Sequence, residues 1–297
     1  MPKDNNIGHS TCTVNKQAGF KCVIDTQISI VKSVITKHKW APQIFYYIDL
    51  YAGDGSNVME GCPGSPVIFL QEIQDKMKYS ASFIEIEPGN TIYLKAAVQF
   101  ANSHTVYTGD NAIILPQIIK SIPRYSYGLI YADPNGIPNF DMLSNASKHL
   151  PKMDILIRCP ATAIKRNGNS LQDFIHRIDK SNWLVQRPEG KWQWTFLFAT
   201  NYTEYPTWKK LNMYNLQSNE GKEIFRTIAY TEKERTNMDQ PNLFVSSLKE
   251  IAIERSNGIC EKCGTEKVSE CHHLSYYPEK VIAICHECHC VLHGVEN

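Results

Sequence analysis

The sequence predicts an α/β protein: a doubly wound, mostly parallel sheet followed by a small metal-stapled module. Three observations lead there. Apolar strand-like runs alternate with helical patterns between residues 44 and 160. A glycine turn, Ala52-Gly-Asp-Gly-Ser-Asn57, closes the first of those runs. Six of the ten cysteines and five of the ten histidines crowd between residues 260 and 293.

The elements follow in order. Residues 27–39 place Ile28, Ile30, Val31, Val34 and Ile35 at amphipathic-helix spacing. IFYYIDLY (44–51) is a buried strand, and residues 65–78 are the helix after it. ASFIEIEP (81–88) is a second strand, followed by a helix to about residue 101. HTVYTGD (104–110) is a third strand, and residues 111–122 are helical despite Pro116. YGLIYADP (127–134) and MDILIRCP (153–160) are further strands. Parallel neighbours need a crossover, which the intervening helices supply, so they cover both faces of the sheet. Residues 192–202 and 224–231 read as late strands, antiparallel at the edge. No internal repeat or low-complexity tract interrupts the chain.

Composition narrows the class. At roughly 150 residues per domain, 297 residues allow two domains. The polar segment 236–242 is the expected linker, giving domains 1–240 and 241–297, the second opening with a helix over 243–256. An apolar share of 42% with 21% charged residues excludes a wholly disordered chain. No apolar run approaches the ~18 residues of a membrane span, and MPKDNNIGHSTC has no apolar core of a secretory signal. A cytoplasmic chain is therefore expected, and its clustered cysteines read as metal ligands rather than disulfides.

Net charge is +1, but it is unevenly spread. Residues 151–235 carry 14 Lys/Arg against 9 Asp/Glu and hold Trp183, Trp192, Trp194 and Trp208. Residues 241–297 carry 5 against 8. The earlier segment is the better candidate for binding nucleic acid, with the tryptophans as stacking surfaces. Tryptophans filling a core beneath solvated lysines is the equal alternative.

Four strand ends carry candidate ligand-binding groups, at the carboxyl edge where open α/β sheets bind ligands. Asp49-Leu-Tyr51-Ala-Gly53-Asp-Gly55 closes the first, its glycines allowing close backbone approach. Dinucleotide sites favour G-x-G-x-x-G; glycines two apart behind an Asp and an aromatic favour S-adenosylmethionine. The second strand offers Glu85, with Glu87 as runner-up, as acceptor for both ribose hydroxyls. The third ends at Thr108-Gly109-Asp110-Asn111, where a carboxylate can accept from an adenine amino group. The fourth ends at Asp133-Pro134-Asn135-Gly136.

These residues resemble the class I S-adenosylmethionine-dependent methyltransferases, with their Rossmann-like sheet, and more narrowly the three-Cys-motif partner proteins. The resemblance rests on Asp49 to Gly55, Gly64-Ser-Pro66, Phe83-Ile-Glu85 and Ala132-Asp-Pro134, and spans residues 25–235. It implies that Asp49, Tyr51, Gly53, Gly55, Glu85 and Asp110 line the cofactor, with Asp133, Pro134 and Asn135 at the methyl group. Amino-methylating relatives resemble D/N-P-P-Y there, the aromatic stacking on a flipped base. Asn135 and Gly136 replace the second proline and the aromatic.

Cys260-x₂-Cys263 and Cys285-x₂-Cys288 are two knuckles separated by 21 residues, a spacing that closes a tetrahedral zinc site. Cys271 and Cys290 are left as packing residues, with Cys271 the alternative ligand in a different pairing. His289 and His293 lie four apart on one helical face and, with His272, can hold a second divalent metal, Mg²⁺ or Mn²⁺, beside His273. Residues 271–293 resemble the HNH endonuclease ββα-metal fold with flanking zinc knuckles. That resemblance implies His273 as general base of phosphodiester hydrolysis. Lys280 stands where the family's middle Asn is usual.

Among the remaining residues, Arg158, Lys165 and Arg166 read as surface charge or phosphate contacts, and Cys62 and Cys159 lack a base. Ser65 and Pro66 suit the cap and first turn of a helix. Two activities are expected from the whole: methyl transfer to a nucleic-acid-related substrate, with the zinc module aiding recognition, or HNH-type DNA cleavage with the larger domain as sensor or scaffold. A non-catalytic nucleic-acid-binding adaptor is the third reading.

Overall fold

The computed structural model describes residues 12–57, 62–134, 136–160, 175–187, 194–202, 208–228, 251–276 and 279–293. The chain divides into two compact units, Met1–Ala229 and Tyr230–Asn297. No helix among the described residues is long and apolar enough to cross a membrane.

The first unit is built on an eight-stranded sheet. Its parallel part is β5 (His104–Thr108), β4 (Tyr79–Glu85), β1 (Phe45–Asp49), β6 (Tyr127–Ala132) and β7 (Met153–Pro160), in that spatial order. β9 (Trp194–Thr200) runs antiparallel beside β7, then β8 (Asn182–Gln186) and β10 (Met213–Asn215) complete the sheet. A minor hairpin pairs β2 (Ser56–Asn57) with β3 (Cys62–Pro63). The central strands are buried almost throughout, as continuous apolar runs covered on both faces must be.

Helices α1 (Cys12–Lys37), α2 (Ser65–Ile73) and α3 (Pro88–Val98) cover one face; α4 (Asn111–Ser121), α5 (Phe140–His149) and α6 (Asn219–Thr227) cover the other. On α1, Phe20, Val23, Ile24, Ile28, Val31 and Ile35 form one buried stripe. Beneath it Tyr47 stacks on Phe69 with centroids 3.9 Å apart. Truncating Phe69 to alanine would cost about 3–5 kcal/mol. The opposite core joins Leu115, Ile118 and Ile119 of α4 to Phe140, Leu143 and Ala146 of α5. At the start of β7, Gln27 of α1 donates to Asp154, and Lys180 Nζ donates to the carbonyls of Pro151 and Met153.

Several expected elements change. Residues 224–231 are expected as a strand, but those described there form the end of α6 and its exit. Ser218 caps α6 by accepting from the Gly221 N–H at 3.0 Å, and Ile224 and Ile228, four apart, are buried together. β9 lies inside the sheet rather than at its edge. α5, β8 and β10 carry no sequence expectation; α5 begins where Asn139 accepts from Met142 N–H at 3.0 Å. α1 starts well before residue 27. The cap of α2 is Gly64, not Ser65. Trp183 and Trp208 are buried in the core, so neither is a stacking surface. Trp192, the Trp194 side chain and the linker 236–242 lie outside the described residues.

In the second unit, β11 (Glu270–Tyr276) and β12 (Glu279–Ile284) form an antiparallel hairpin followed by α7 (His286–His293). Of the expected helix over 243–256, residues 251–256 are described: 251–255 are helical and Ser256 begins the turn that follows. The described apolar core is small: Ala252 and Ala283 with Val268 and Cys271, and Cys260, Cys285 and Ile284 beside them. Among the described residues, so little apolar burial leaves a short module in need of a further constraint.

Candidate cofactor crevice and four-cysteine centre

β1 and β6 end in the same pattern, a tyrosine two residues before an aspartate, so each pair shares one strand face. The Tyr47 hydroxyl donates to Asp49 Oδ2 at 3.2 Å, and the Tyr131 hydroxyl to Asp133 Oδ2 at 3.2 Å. Asp49 is completely buried. It also accepts from Ser65 Oγ at 2.7 Å and from the Tyr51 N–H at 3.2 Å. Burial pushes its carboxyl up to about 7; the hydrogen bonds from Ser65, Tyr51 and Tyr47 pull against that, and the nearby Asp133 charge adds to it. Asp49 therefore underpins the loop above it through Tyr51.

Asp133 is held from the next strand. Arg158 Nη1 of β7 lies 3.1 Å from Asp133 Oδ1, with the arginine side chain 25% exposed and the aspartate 13%. Arg158 is therefore not the surface charge that its sequence context allows. Pro134 is buried, and Asn135 lies outside the described residues.

Gly53 and Gly55 both adopt left-handed backbone, with φ of +63° and +79°. A Cβ on Gly53 would meet no atom within 4 Å, so the backbone there can be approached closely. Gly55 accepts from the Gly64 N–H at 3.0 Å, and a Cβ on Gly64 would come within 2.9 Å of the Gly55 carbonyl carbon. Glu85, nearly buried at the end of β4, accepts from Gly53 N–H at 2.9 Å through Oε2 and from Glu87 N–H at 2.8 Å through Oε1. It thus ties the glycine turn to β4 and keeps part of its acceptor capacity. Glu87 is exposed. Asp110 caps α4, accepting from Ala112 N–H at 2.8 Å, and is exposed. Tyr51 is half-buried, which raises its hydroxyl pKa.

Sequence reasoning missed two residues here. Ile86 is 62% exposed and Ile113 is 65% exposed. They follow Glu85, at the end of β4, by one position and Asp110, the cap of α4, by three. Exposed isoleucines beside those carboxylates offer apolar surface to a flat ring; the signal is an apolar residue where a polar loop is expected.

In the second unit Cys260, Cys263, Cys285 and Cys288 bring their sulfurs within 4.8 Å of one another. Cys263 Sγ and Cys285 Sγ are 3.9 Å apart. Four thiolates around zinc at ~2.3 Å would stand about 3.8 Å from one another, so the set fits a tetrahedral metal such as zinc. The knuckle is braced by Glu261, which pairs with Arg255 at 2.6 Å and accepts from Ala283 N–H at 2.8 Å. Cys271 packs against the Ala252 and Ala283 cluster.

His289 Nδ1 meets the Glu270 carboxylate, as does His286 Nδ1 at 2.6 Å. Cys290 Sγ lies 3.6 Å from His286 Nε2. The structure thus joins His289 to Glu270 and His286, two residues absent from the expected metal set. The side chains of His272, His273 and His293 lie outside the described residues.

No family model matches the chain, and no curated protein matches it. Among solved structures, protein LPL1258 from Legionella pneumophila is similar at 14% identity over 65% of this chain and 89% of that one, with a TM-score of 0.46. N-methyltransferase NodS from Bradyrhizobium japonicum is similar at 8% identity over 62% and 97%, TM-score 0.36. An rRNA methylase from Streptococcus thermophilus is similar at 6% identity over 59% and 97%, TM-score 0.35. At these scores no activity is carried from any of them to this chain. The fold is a mixed α/β unit built on a large, mostly parallel sheet, followed by a four-cysteine module.

Proposed function

We propose that the first unit binds S-adenosylmethionine and transfers its methyl group to a nucleic acid or related acceptor, while the C-terminal module, holding zinc, aids recognition. One observation carries this: Glu85, a nearly buried carboxylate at the end of β4, is hydrogen-bonded to Gly53 in the glycine turn that tops β1. A ribose diol beside an acidic strand end and a ligand-approachable glycine turn is the chemistry such a pair serves. Asp110 and the exposed Ile86 and Ile113 suit an adenine ring at the same edge. Gly53 and Gly55 would meet the ligand by backbone, with Tyr51 beside them and Asp49 beneath as support. The relationship to the three-Cys-motif partner proteins belongs to the same proposal.

A bound S-adenosylmethionine would supply an electrophilic methyl group, with its sulfonium sulfur as the leaving group, to the acceptor's lone pair. The chain's own part is positioning and proton handling. Asp133, held by Arg158, accepts a hydrogen bond from the acceptor N–H or O–H and orients its lone pair. The Pro134 carbonyl and Asn135 would complete that edge. No aromatic follows to stack a flipped base.

The test is incubation with methyl-labelled cofactor and separate DNA and RNA pools. Label is expected in one pool with wild type and at least about ten-fold less with Asp133→Asn, the size of one lost charge-assisted hydrogen bond. Labelling of neither pool by a protein that binds the cofactor would reject the acceptor class.

One contact favours a second reading, an HNH-type nuclease. Glu270 on His289 Nδ1 fixes the ring and leaves Nε2 as the ligand atom for Mg²⁺ or Mn²⁺, as carboxylates do behind metal-binding histidines. Plasmid cleavage by wild type and its loss in His273→Ala would support it; equal cleavage by both would remove it.

A further inference from the structure

At the amino ends of the strands, opposite the proposed cofactor edge, the surface changes character. Trp40 lies between α1 and β1 and is 64% exposed; Tyr125 lies between α4 and β6 and is 52% exposed. β1 and β6 are paired neighbours, Phe45 opposite Tyr127, which brings the two loops together. The Trp40 and Tyr125 rings sit 6.5 Å apart and nearly perpendicular, and the His38 ring is 5.7 Å from Trp40. Exposing that much indole next to a second ring is costly for a surface with no partner.

The charge is one-sided. Residues 36–43 and 120–127 contain Lys37, Lys39, Lys120 and Arg124 and no Asp or Glu. All four are exposed. Among the described residues the lysine and arginine ion pairs lie elsewhere, at Lys21, Lys76, Arg158, Arg177 and Arg255. These four cations are therefore available to an external anion.

We infer that Trp40, Tyr125 and His38, with Lys37, Lys39 and Arg124, form a binding site for single-stranded nucleic acid. The rings stack on bases and the cations meet phosphates. Protein interfaces are depleted in lysine at their core, which disfavours a protein occupant for so basic a patch. Duplex bases offer no open face to a stacking ring, whereas unpaired ones do. The site lies roughly 16 Å, one strand length, from the glycine turn. It would hold a strand away from the chemistry, and it rests on no property of the cofactor edge.

The test is fluorescence anisotropy of fluorescein-labelled oligodeoxythymidine with the full chain and no added cofactor. Trp40→Ala and Tyr125→Ala should each weaken binding by roughly 5- to 100-fold, the range for losing one base stack. Trp40→Phe should recover most of that loss. The triple variant Lys37→Glu, Lys39→Glu, Arg124→Glu should flatten the slope of log affinity against log salt by about 2. Thermal midpoints should not move, because all six side chains are exposed.

No binding by wild type at about 100 μM, or alanine variants within about two-fold of wild type, would overturn the inference. So would self-association of wild type that Trp40→Ala abolishes while the oligonucleotide is not bound. Titration of Trp40→Ala with S-adenosylmethionine keeps the two proposals separate, since cofactor binding should be unchanged in it.

Discussion

Ser65 Oγ donates to Asp49 Oδ2 at 2.7 Å, joining the first turn of α2 to the end of β1. The hydroxyl expected to cap a helix instead satisfies a buried carboxyl, and Gly64 is left as the cap.

A pH dependence follows from that burial. Asp49 titrates at about 7 in the folded chain, against about 3.9 when unfolded. A carboxyl with a raised folded value contributes stability that is full below the unfolded value and lost as pH rises through the folded one. The span corresponds to roughly 4 kcal/mol. Relative to Asp49→Asn, wild type should lose stability between pH 4 and 8 and run parallel to it above that, measured by denaturant midpoints. Parallel profiles across the whole range would show that Asp49 does not titrate there.

Arg158 and Asp133 should behave as one unit. Arg158→Met leaves a mostly covered carboxylate without its guanidinium, at a cost of about 1–3 kcal/mol. Asp133→Asn combined with Arg158→Met should cost less than the two singles added. Strict additivity in urea unfolding would mean that the pair is not coupled.

Gly64 and Gly136 make a matched comparison. A methyl group added at Gly64 would press on the Gly55 carbonyl, whereas one added at Gly136 would meet nothing within 4 Å. Gly64→Ala should destabilise by about 1–3 kcal/mol and weaken S-adenosylmethionine binding through the displaced turn. Gly136→Ala should leave stability nearly unchanged, as a thermal melt would show.

The four-cysteine centre should hold one zinc per chain by elemental analysis, and Cys263→Ser should lose it. Chelation should make the C-terminal module protease-sensitive, because metal supplies folding energy that its small core does not. A metal-free module that resists protease would contradict this.

The parallel strands are legible because a strand covered on both faces must be a continuous apolar run, as in FYYID of β1. The partners of the strand ends are less so. Arg158 and Asp133 are 25 residues apart, and only the pairing of β6 with β7 brings them together. α6 reads as a strand because Ile224, Phe225, Thr227 and Ile228 are all good strand formers; the Ser218 cap and packing override that preference. α5 escapes notice because FDMLSNASKH is largely polar. Trp183 and Trp40 show that a tryptophan's place, core or surface, is set by which face its neighbours leave open, and that is a tertiary property.

The proposed activity rests on S-adenosylmethionine binding at the carboxyl ends of β1, β4 and β5. Isothermal titration of the full chain with that cofactor tests it most directly. Saturable one-to-one binding is predicted, weakened at least about ten-fold in Glu85→Ala while its unfolding transition stays cooperative. No heat with the folded wild type, or equal affinity in Glu85→Ala, would contradict it.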